Sequence, residues 1–335
     1  FTGLGNYSRY VADILCHFYP ENDYVLYAPK KRENKRMNLL TVQDRQLTLA
    51  YPATSFWKKL SSLWRVWGIT SQLEKEGIEL FHGLSNELPL NIHKSRIKSI
   101  VTIHDLIFLR YPQYYQSIDR KIYTYKFRKA CENADKIIAI SECTKRDITR
   151  YFNIPDDKID VVYQGCDVSF THPVTEEKKE EVRKKYQLPD HYILNVGSIE
   201  ERKNILAAVQ ALPMLPQHIH IVIVGRRTGY TKKVEQFIKD NGLGERVHII
   251  SNVPFNDLPA FYQSAEIFVY PSRFEGFGIP IIEALYSGIP VVAATGSCLE
   301  EAGGPDSIYV NPDDITGLAD AFKQIYSNSD KRKNM

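Results

Sequence analysis

The sequence predicts an α/β architecture of two Rossmann-like domains facing across a cleft, on three observations. Short apolar runs alternate with amphipathic helical stretches, the pattern of parallel sheets joined by crossover helices. Each half of the chain carries its own series of such runs. Between the halves lies 173–185, in which nine of thirteen residues are charged, so little is buried until Tyr186 and Leu188. That segment reads as an exposed helix on a connector, which puts the domain boundary near residue 172 and gives domains 1–172 and 173–335. A chain of 335 residues is long enough for two cores.

The elements follow in order. Gly3-Leu4-Gly5-Asn6 reads as a glycine turn opening a helix whose Tyr7, Tyr10, Val11, Ile14, Leu15 and Phe18 share one face. First-half strands are expected at 24–27, 80–82, 99–103, 136–140 and 160–163. Second-half strands are expected at 192–196, 220–224, 247–250, 267–270, 291–294 and 307–310, with ligands at their carboxyl ends. Phe1 directly precedes the glycine turn, where a strand would be expected upstream, and the chain stops at Met335 soon after a helix at 317–326. The expectation is a chain truncated at both ends.

Composition narrows the classes. Apolar residues make up 43% and charged residues 25%, ordinary for a globular protein, and a net charge of +3 does not call for nucleic acid. No run approaches a membrane span or a secretory signal. Cys16, Cys131, Cys143, Cys166 and Cys298 are scattered and odd in number, which reads as reduced thiols in a cytoplasmic protein. Asp156-Asp157 and Asp313-Asp314 read as loop or helix-start pairs, and no His/Cys cluster has ligand spacing, so no metal and no cofactor is expected.

The chemistry concentrates in Glu275-Gly276-Phe277-Gly278-Ile279-Pro280-Ile281-Ile282-Glu283. A strand ended by Pro271 precedes it, Pro280 suits the start of a helix, and Gly288 suits its end. Glu275 is then on a loop and Glu283 in the first turn of the helix facing it. Gly276 and Gly278 let the backbone approach a ligand, and the helix start offers N–H groups to an anion. Carboxylates repel phosphate, so they suit the hydroxyls around one: a nucleotide-sugar places a diphosphate between a ribose diol and a sugar polyol. Two solvated glutamates on an ordinary strand–loop–helix would leave the same spacing.

Upstream, the run 192–197 is followed by Glu200-Glu201-Arg202-Lys203-Asn204, and Asn204 suits the N-cap of the next helix. Two cations there can neutralise a leaving diphosphate without a metal. A solvated turn is the bland alternative.

These motifs, in this order, resemble retaining glycosyltransferases of the GT-B fold that carry a Glu–seven residues–Glu signature, particularly their bacterial mannosyltransferase-like branch. The resemblance runs from Gly3 to about Pro312. It implies transfer of a hexose, with mannose from GDP-mannose the preferred donor, to a glycan or lipid-linked acceptor hydroxyl, by a front-face reaction in which the departing phosphate helps deprotonate the acceptor. It assigns acceptor binding to the first domain and nucleotide-sugar binding to the second. Arg202 and Lys203 would hold the diphosphate, Glu283 the ribose, and Glu275 with the amides of Gly276–Gly278 the sugar, with Phe277 and Ile279 among the donor-binding residues. Gly5 would lie on a loop near the phosphates. His104, delivered by the strand 99–103, would position the sugar, with Asp105 beside it. His82 also matches the family pattern, as do Ser141 at a helix start and the loop Cys298–Gly303, which has Glu300 where proline is usual. A structural His104 held by backbone, and simple capping by Ser141, stay open.

Three stretches invite other readings. Lys30–Arg36 is a basic run that suits a solvated loop. The stretch 56–67 (Phe56, Trp57, Lys58, Lys59, Leu60, Leu63, Trp64, Arg65, Trp67) fits peripheral contact with an anionic membrane, at the inner face of the cytoplasmic membrane, and fits core packing better. Tyrosines mixed with basic residues over 110–129 suit the edge of an acceptor site better than nucleic acid. A sugar-nucleotide epimerase of the same fold, or a sugar-nucleotide-binding protein without activity, is the alternative function. A nicotinamide dehydrogenase is disfavoured because Gly3-Leu4-Gly5 lacks the third fingerprint glycine.

Overall fold

The computed structural model describes residues 3–31 and 47–327. Its strands are β1 (Tyr24–Tyr27), β2 (Leu47–Ala50), β3 (Leu80–Gly83), β4 (Lys98–Ile103), β5 (Lys136–Ala139), β6 (Ile159–Val161), β7 (Tyr192–Val196), β8 (His220–Val224), β9 (Val247–Ile250), β10 (Ile267–Tyr270), β11 (Val291–Ala294) and β12 (Ile308–Val310). The principal helices are α1 (Gly3–Phe18), α2 (Ser117–Asn133), α3 (Glu142–Phe152), α4 (Glu176–Tyr186), α5 (Ile205–Ala211), α6 (Thr231–Asp240), α7 (Leu258–Gln263), α8 (Ile279–Tyr286), α9 (Leu299–Gly303) and α10 (Ile315–Tyr326). Every strand pairing is parallel.

The chain divides into two compact units after Val162. That is ten residues before the expected boundary at 172, and the reason is Phe170. Its buried ring packs edge-on against Phe255 and Tyr262, which ties 163–172 to the second unit. The charged helix α4 is likewise no bare connector. Val182 is fully buried, and Lys178 and Lys185 both reach Asp257.

In the first unit the strand order is β3-β4-β5-β6, with β1 and β2 paired apart from it. Val101, Ile103, Ile137 and Ala139 form the middle of a core with Trp64, Ile69, Leu73, Ile92 and Ile148. The strand β2 is an element that the apolar-run reading missed. The basic run Lys30–Arg36 falls for the most part outside the described residues.

The second unit has one six-stranded sheet in the order β12-β11-β10-β7-β8-β9. Read from β9, this is third, second, first, fourth, fifth, sixth, the order of dinucleotide-binding sheets. Its central strands are buried on both faces, as near-continuous Ile, Val and Leu runs demand. The order reverses between β7 and β10, and such sheets bind ligands at the carboxyl ends of the strands at this switch point.

Candidate active site

Both loops at that switch point carry second-half residues singled out by sequence. After β7, Gly197 leads to a short helical turn, Glu201–Lys203, and then α5. After β10, Pro271 and Ser272 lead through Phe274 to Glu275. The two loops are stapled together: the Arg273 N–H donates to the Arg202 carbonyl at 2.9 Å, and the Arg202 guanidinium donates to the Phe274 carbonyl.

Glu275 is the centre of the network. One carboxylate oxygen lies 2.9 Å from the Arg202 guanidinium; the other lies 3.5 Å from the Lys203 ammonium. The Ser272 hydroxyl at 3.0 Å and the Tyr270 hydroxyl at 3.2 Å also donate to it. Lys203 donates to the Tyr270 oxygen at 3.2 Å, so this buried phenol links cation and carboxylate. Burial pushes the Glu275 carboxyl up, but Lys203 and Arg202 outweigh it and hold the group below the usual range. Burial likewise opposes charge on Lys203, and Glu275 reverses the balance upward. Burial and Glu275 together push the Tyr270 phenol up to about 12.

Asn204 departs from expectation. It sits in the left-handed region at φ 54° and makes no side-chain cap; its amide donates instead to the Pro312 carbonyl at 2.7 Å. Asparagine tolerates that conformation, so the residue turns the chain into α5 by its backbone.

Gly278 precedes α8 at φ 136°, and a Cβ there would stand 3.2 Å from Ala302 and Leu299. Both facts require glycine. Phe277 is buried with its ring stacked on Tyr163 at 5.4 Å, while Gly276 and Ile279 are half-buried. Beneath the loop the Cys298 thiol lies 3.0 Å from the Glu275 carbonyl and 2.9 Å from that of Phe277.

Glu283 is the fifth residue of α8, at the start of its second turn rather than in the first. The Tyr262 hydroxyl donates to it at 2.7 Å. Burial raises its carboxyl to about 7; the Tyr262 bond pulls downward, and nearby Asp167 adds to the rise. The two glutamates thus hang on two tyrosines of one aromatic ladder. Tyr262 lies 5.3 Å from Phe268, and Phe268 stacks 5.9 Å from Tyr270. Sequence reasoning missed both tyrosines. Tyr270 could have been found as the last residue of its strand, on the face of Phe268. Tyr262 lies in α7, 21 residues before Glu283, with no local motif.

The first-unit candidates make their own group. His104 follows β4, and its ring Nε2–H donates to the Leu84 carbonyl at 2.9 Å. That contact fixes the neutral tautomer with Nδ1 as acceptor, and burial lowers the pKa. Tyr7 meets the ring edge-on at 4.7 Å and bonds Thr102 at 2.9 Å, which His82 also reaches at 2.8 Å. Burial, with His104 nearby, drops His82 to about 4, consistent with a structural histidine. Asp105 accepts from the Ile107 N–H at 3.1 Å, a local turn, and buried Ser141 caps α3 through the Thr144 N–H at 3.0 Å. Gly5 is a correction. It lies inside α1, which already begins at Gly3, so no glycine loop precedes the helix at that residue. Its N–H still belongs to the first turn, where helix donors have no intrahelical partner.

Comparison with known proteins gives the family. Residues 8–170 match the family described as Glycosyltransferase Family 4, and residues 176–335 match Glycosyl transferases group 1. The chain belongs to the GT-B glycosyltransferases. Among curated members of this family, O-antigen chain mannosyltransferase B of Escherichia coli is 31% identical over 246 residues, covering 72% of this chain and 63% of that protein. O-antigen chain mannosyltransferase RfbU of Salmonella typhimurium is 29% identical over 225 residues, covering 67% and 60%. The chain therefore spans about three fifths of the length of these relatives. Of solved GT-B structures, Anabaena HepE in complex with UDP and glucose shares the fold at a TM-score of 0.76 and 17% identity, covering 99% of this chain and 88% of that one. Sucrose-phosphate synthase from Thermosynechococcus elongatus does so at 0.76 and 21%, covering 99% and 86%.

Proposed function

We propose that this chain is a retaining hexosyltransferase that moves mannose from GDP-mannose to a hydroxyl of a glycan or lipid-linked saccharide, at the cytoplasmic face of the cell envelope. The observation that carries the reading is the convergence of Arg202 and Lys203 on Glu275 at the sheet's switch point. The mannosyltransferase relatives support the choice of sugar.

In this account the acceptor oxygen bonds to the anomeric carbon on the face from which the carbon–phosphate oxygen bond breaks. The acceptor proton passes to the departing phosphate. Arg202 and Lys203 stabilise the charge that develops on that phosphate; a single fixed donor supplies about 3 kcal/mol in such sites. These cations stand where another enzyme would place a metal, and no resident metal or cofactor is invoked. Glu275 exchanges its cations for sugar hydroxyls, helped by the backbone of Gly276–Gly278 with Phe277 and Ile279 flanking it. Glu283 accepts from the ribose diol. His104 serves the sugar and acceptor side through its neutral ring. Asp105 and Ser141 keep the structural duties described above.

The test is transfer assayed with GDP-mannose, UDP-glucose, UDP-galactose and UDP-N-acetylglucosamine, with NMR reading the anomeric configuration of the product. Turnover is expected with GDP-mannose and retained configuration, and Glu275→Ala or Lys203→Ala should each lower kcat/KM at least about 100-fold. Unchanged binding and turnover of every sugar nucleotide in both variants would reject the site assignment. Isomerised donor without transfer would identify an epimerase instead.

A further inference from the structure

One short loop of the first unit holds His104 by both its ring and its main chain, and Asn86 organises that loop. Strand β3 ends at Gly83, while the neighbouring β4 runs on to Ile103. Their ladder closes with Gly83 opposite Val101, so β3 itself does not reach the peptide groups of 102–104. The segment 84–86 folds back to take the strand's place. The Asn86 N–H donates to the Thr102 carbonyl at 3.0 Å, and the buried Asn86 side-chain oxygen accepts the His104 N–H at 2.6 Å. The Leu84 carbonyl accepts the His104 ring at 2.9 Å. Gly83 lets the loop fold this tightly, since a Cβ there would stand 2.2 Å from the Glu87 carbonyl oxygen.

Asn86 suits the loop through two separate properties. Its backbone lies in the left-handed region at φ 63°, which asparagine tolerates better than most side chains. Glycine would serve that turn without strain, but it would bring no acceptor. The bond to the His104 N–H spans 18 residues of sequence and is the part that the turn itself does not require. Tyr7 of α1 meets the same imidazole edge-on at 4.7 Å.

We propose that Asn86 is a positioning residue for His104: its side chain anchors the His104 main chain, so that the ring keeps its Nε2–H on Leu84 and Nδ1 as an acceptor. In a neutral imidazole the bond made by one nitrogen sets what the other can do, so a ring that slips from Leu84 loses its defined polarity. Asn86 touches no substrate in this role and acts through the imidazole alone. The role rests on the part given to His104 in the reaction proposed above, whereas the tautomer can be read without any substrate.

Nitrogen-15 NMR of the histidine rings reports tautomer and titration, and the spectrum of His104→Gln picks that residue out of the nine histidines. The parent should show His104 as the Nε2–H tautomer, titrating below the ordinary histidine value because it is buried. Asn86→Gly keeps the left-handed turn and removes the acceptor. It should mix the two tautomers and, with GDP-mannose, lower kcat about 10- to 100-fold while the donor KM stays within about threefold. Added to His104→Gln it should cost nothing further, because residues that act through one another do not add. Asn86→Asp keeps turn and acceptor, and at alkaline pH, where the imidazole stays neutral, it should show the parent tautomer. A parent-like tautomer and kcat in Asn86→Gly would overturn the proposal and leave Asn86 a turn residue. An additive loss in the double variant, or mixed tautomers in Asn86→Asp, would overturn it as well. A parent that turns over no sugar nucleotide would instead reject the reaction, and the tautomer of Asn86→Gly would still decide whether the side chain sets the ring.

Discussion

Glu275 and Glu283 are eight residues apart, each bonded to a buried tyrosine of the same aromatic ladder, yet their surroundings drive them in opposite directions. Arg202 and Lys203 hold Glu275 ionised. Burial brings Glu283 to about 7. Two carboxylates in one motif are thus differently prepared. Glu275 is an anion locked among cations, and Glu283 is an acceptor whose charge depends on pH near neutrality. The spacing alone hides this difference, because it arises from burial and from the two cations in the turn after β7.

The comparison breaks first at Glu275. Glu275→Ala would leave two cations side by side with little solvent, and loss of one partner from a buried ionic cluster costs about 3–5 kcal/mol. A clear fall in melting temperature is expected, larger than for Glu283→Gln. Equal melting temperatures would show that the cluster is solvated and contributes nothing special.

The pH response sharpens the contrast. The folded pKa of Glu283 lies above its unfolded value, so its contribution to stability is full below about 4.5 and lost as pH rises through about 7. Glu275 has the opposite sign: its contribution is present above the unfolded value and lost as pH falls through the lowered folded one. On the proposed function ribose hydroxyls donate to an ionised Glu283, so donor affinity should rise with pH up to about 7, by up to roughly tenfold per unit, and then level. Calorimetric titration at several pH values checks this, and Glu283→Gln should flatten the profile. A profile that stays steep in that variant would assign the titration to another group.

The smallest effect is expected from Tyr262→Phe. It removes a 2.7 Å hydrogen bond, about 1 kcal/mol of stability, and with it the downward pull on Glu283. The midpoint of donor affinity against pH should move upward in this variant. A midpoint that stays in place would mean that the phenol positions the carboxylate without tuning it.

Most of the second unit was legible in sequence for a simple physical reason. Strands buried on both faces, such as 220–224 and 291–294, must be continuous apolar runs, and glycine or proline ends them where the chain turns. Strand β2 escaped because Leu47-Thr48-Leu49-Ala50 is too short for its alternation to stand out. The cationic pair and Glu275 were legible because they lie on the two loops of the switch point, and Glu283 because it lies on the helix that the second loop opens. Their partners were not, since Tyr262 reaches Glu283 only through tertiary packing. The stretch 55–68 shows a deeper limit. Its helix breaks at Leu60 and becomes a π-helical turn at Trp64–Gly68, so regular periodicity cannot say which apolar residues face the core; packing such as that of Trp57 on Gly68 decides it.

The Arg202–Lys203–Glu275 cluster also governs how an incoming phosphate is met. Glu200 lies 3.8 Å from Arg202 and 3.7 Å from Arg226, so three cations share two carboxylates, and Glu275 occupies both Arg202 and Lys203. On the proposed function a diphosphate would reach these two cations by displacing Glu275, and the displaced carboxylate would need hydroxyls to receive it. A bare polyphosphate brings none. The chain's own counter-ion would then act as a filter against ligands that offer the charge without the sugar.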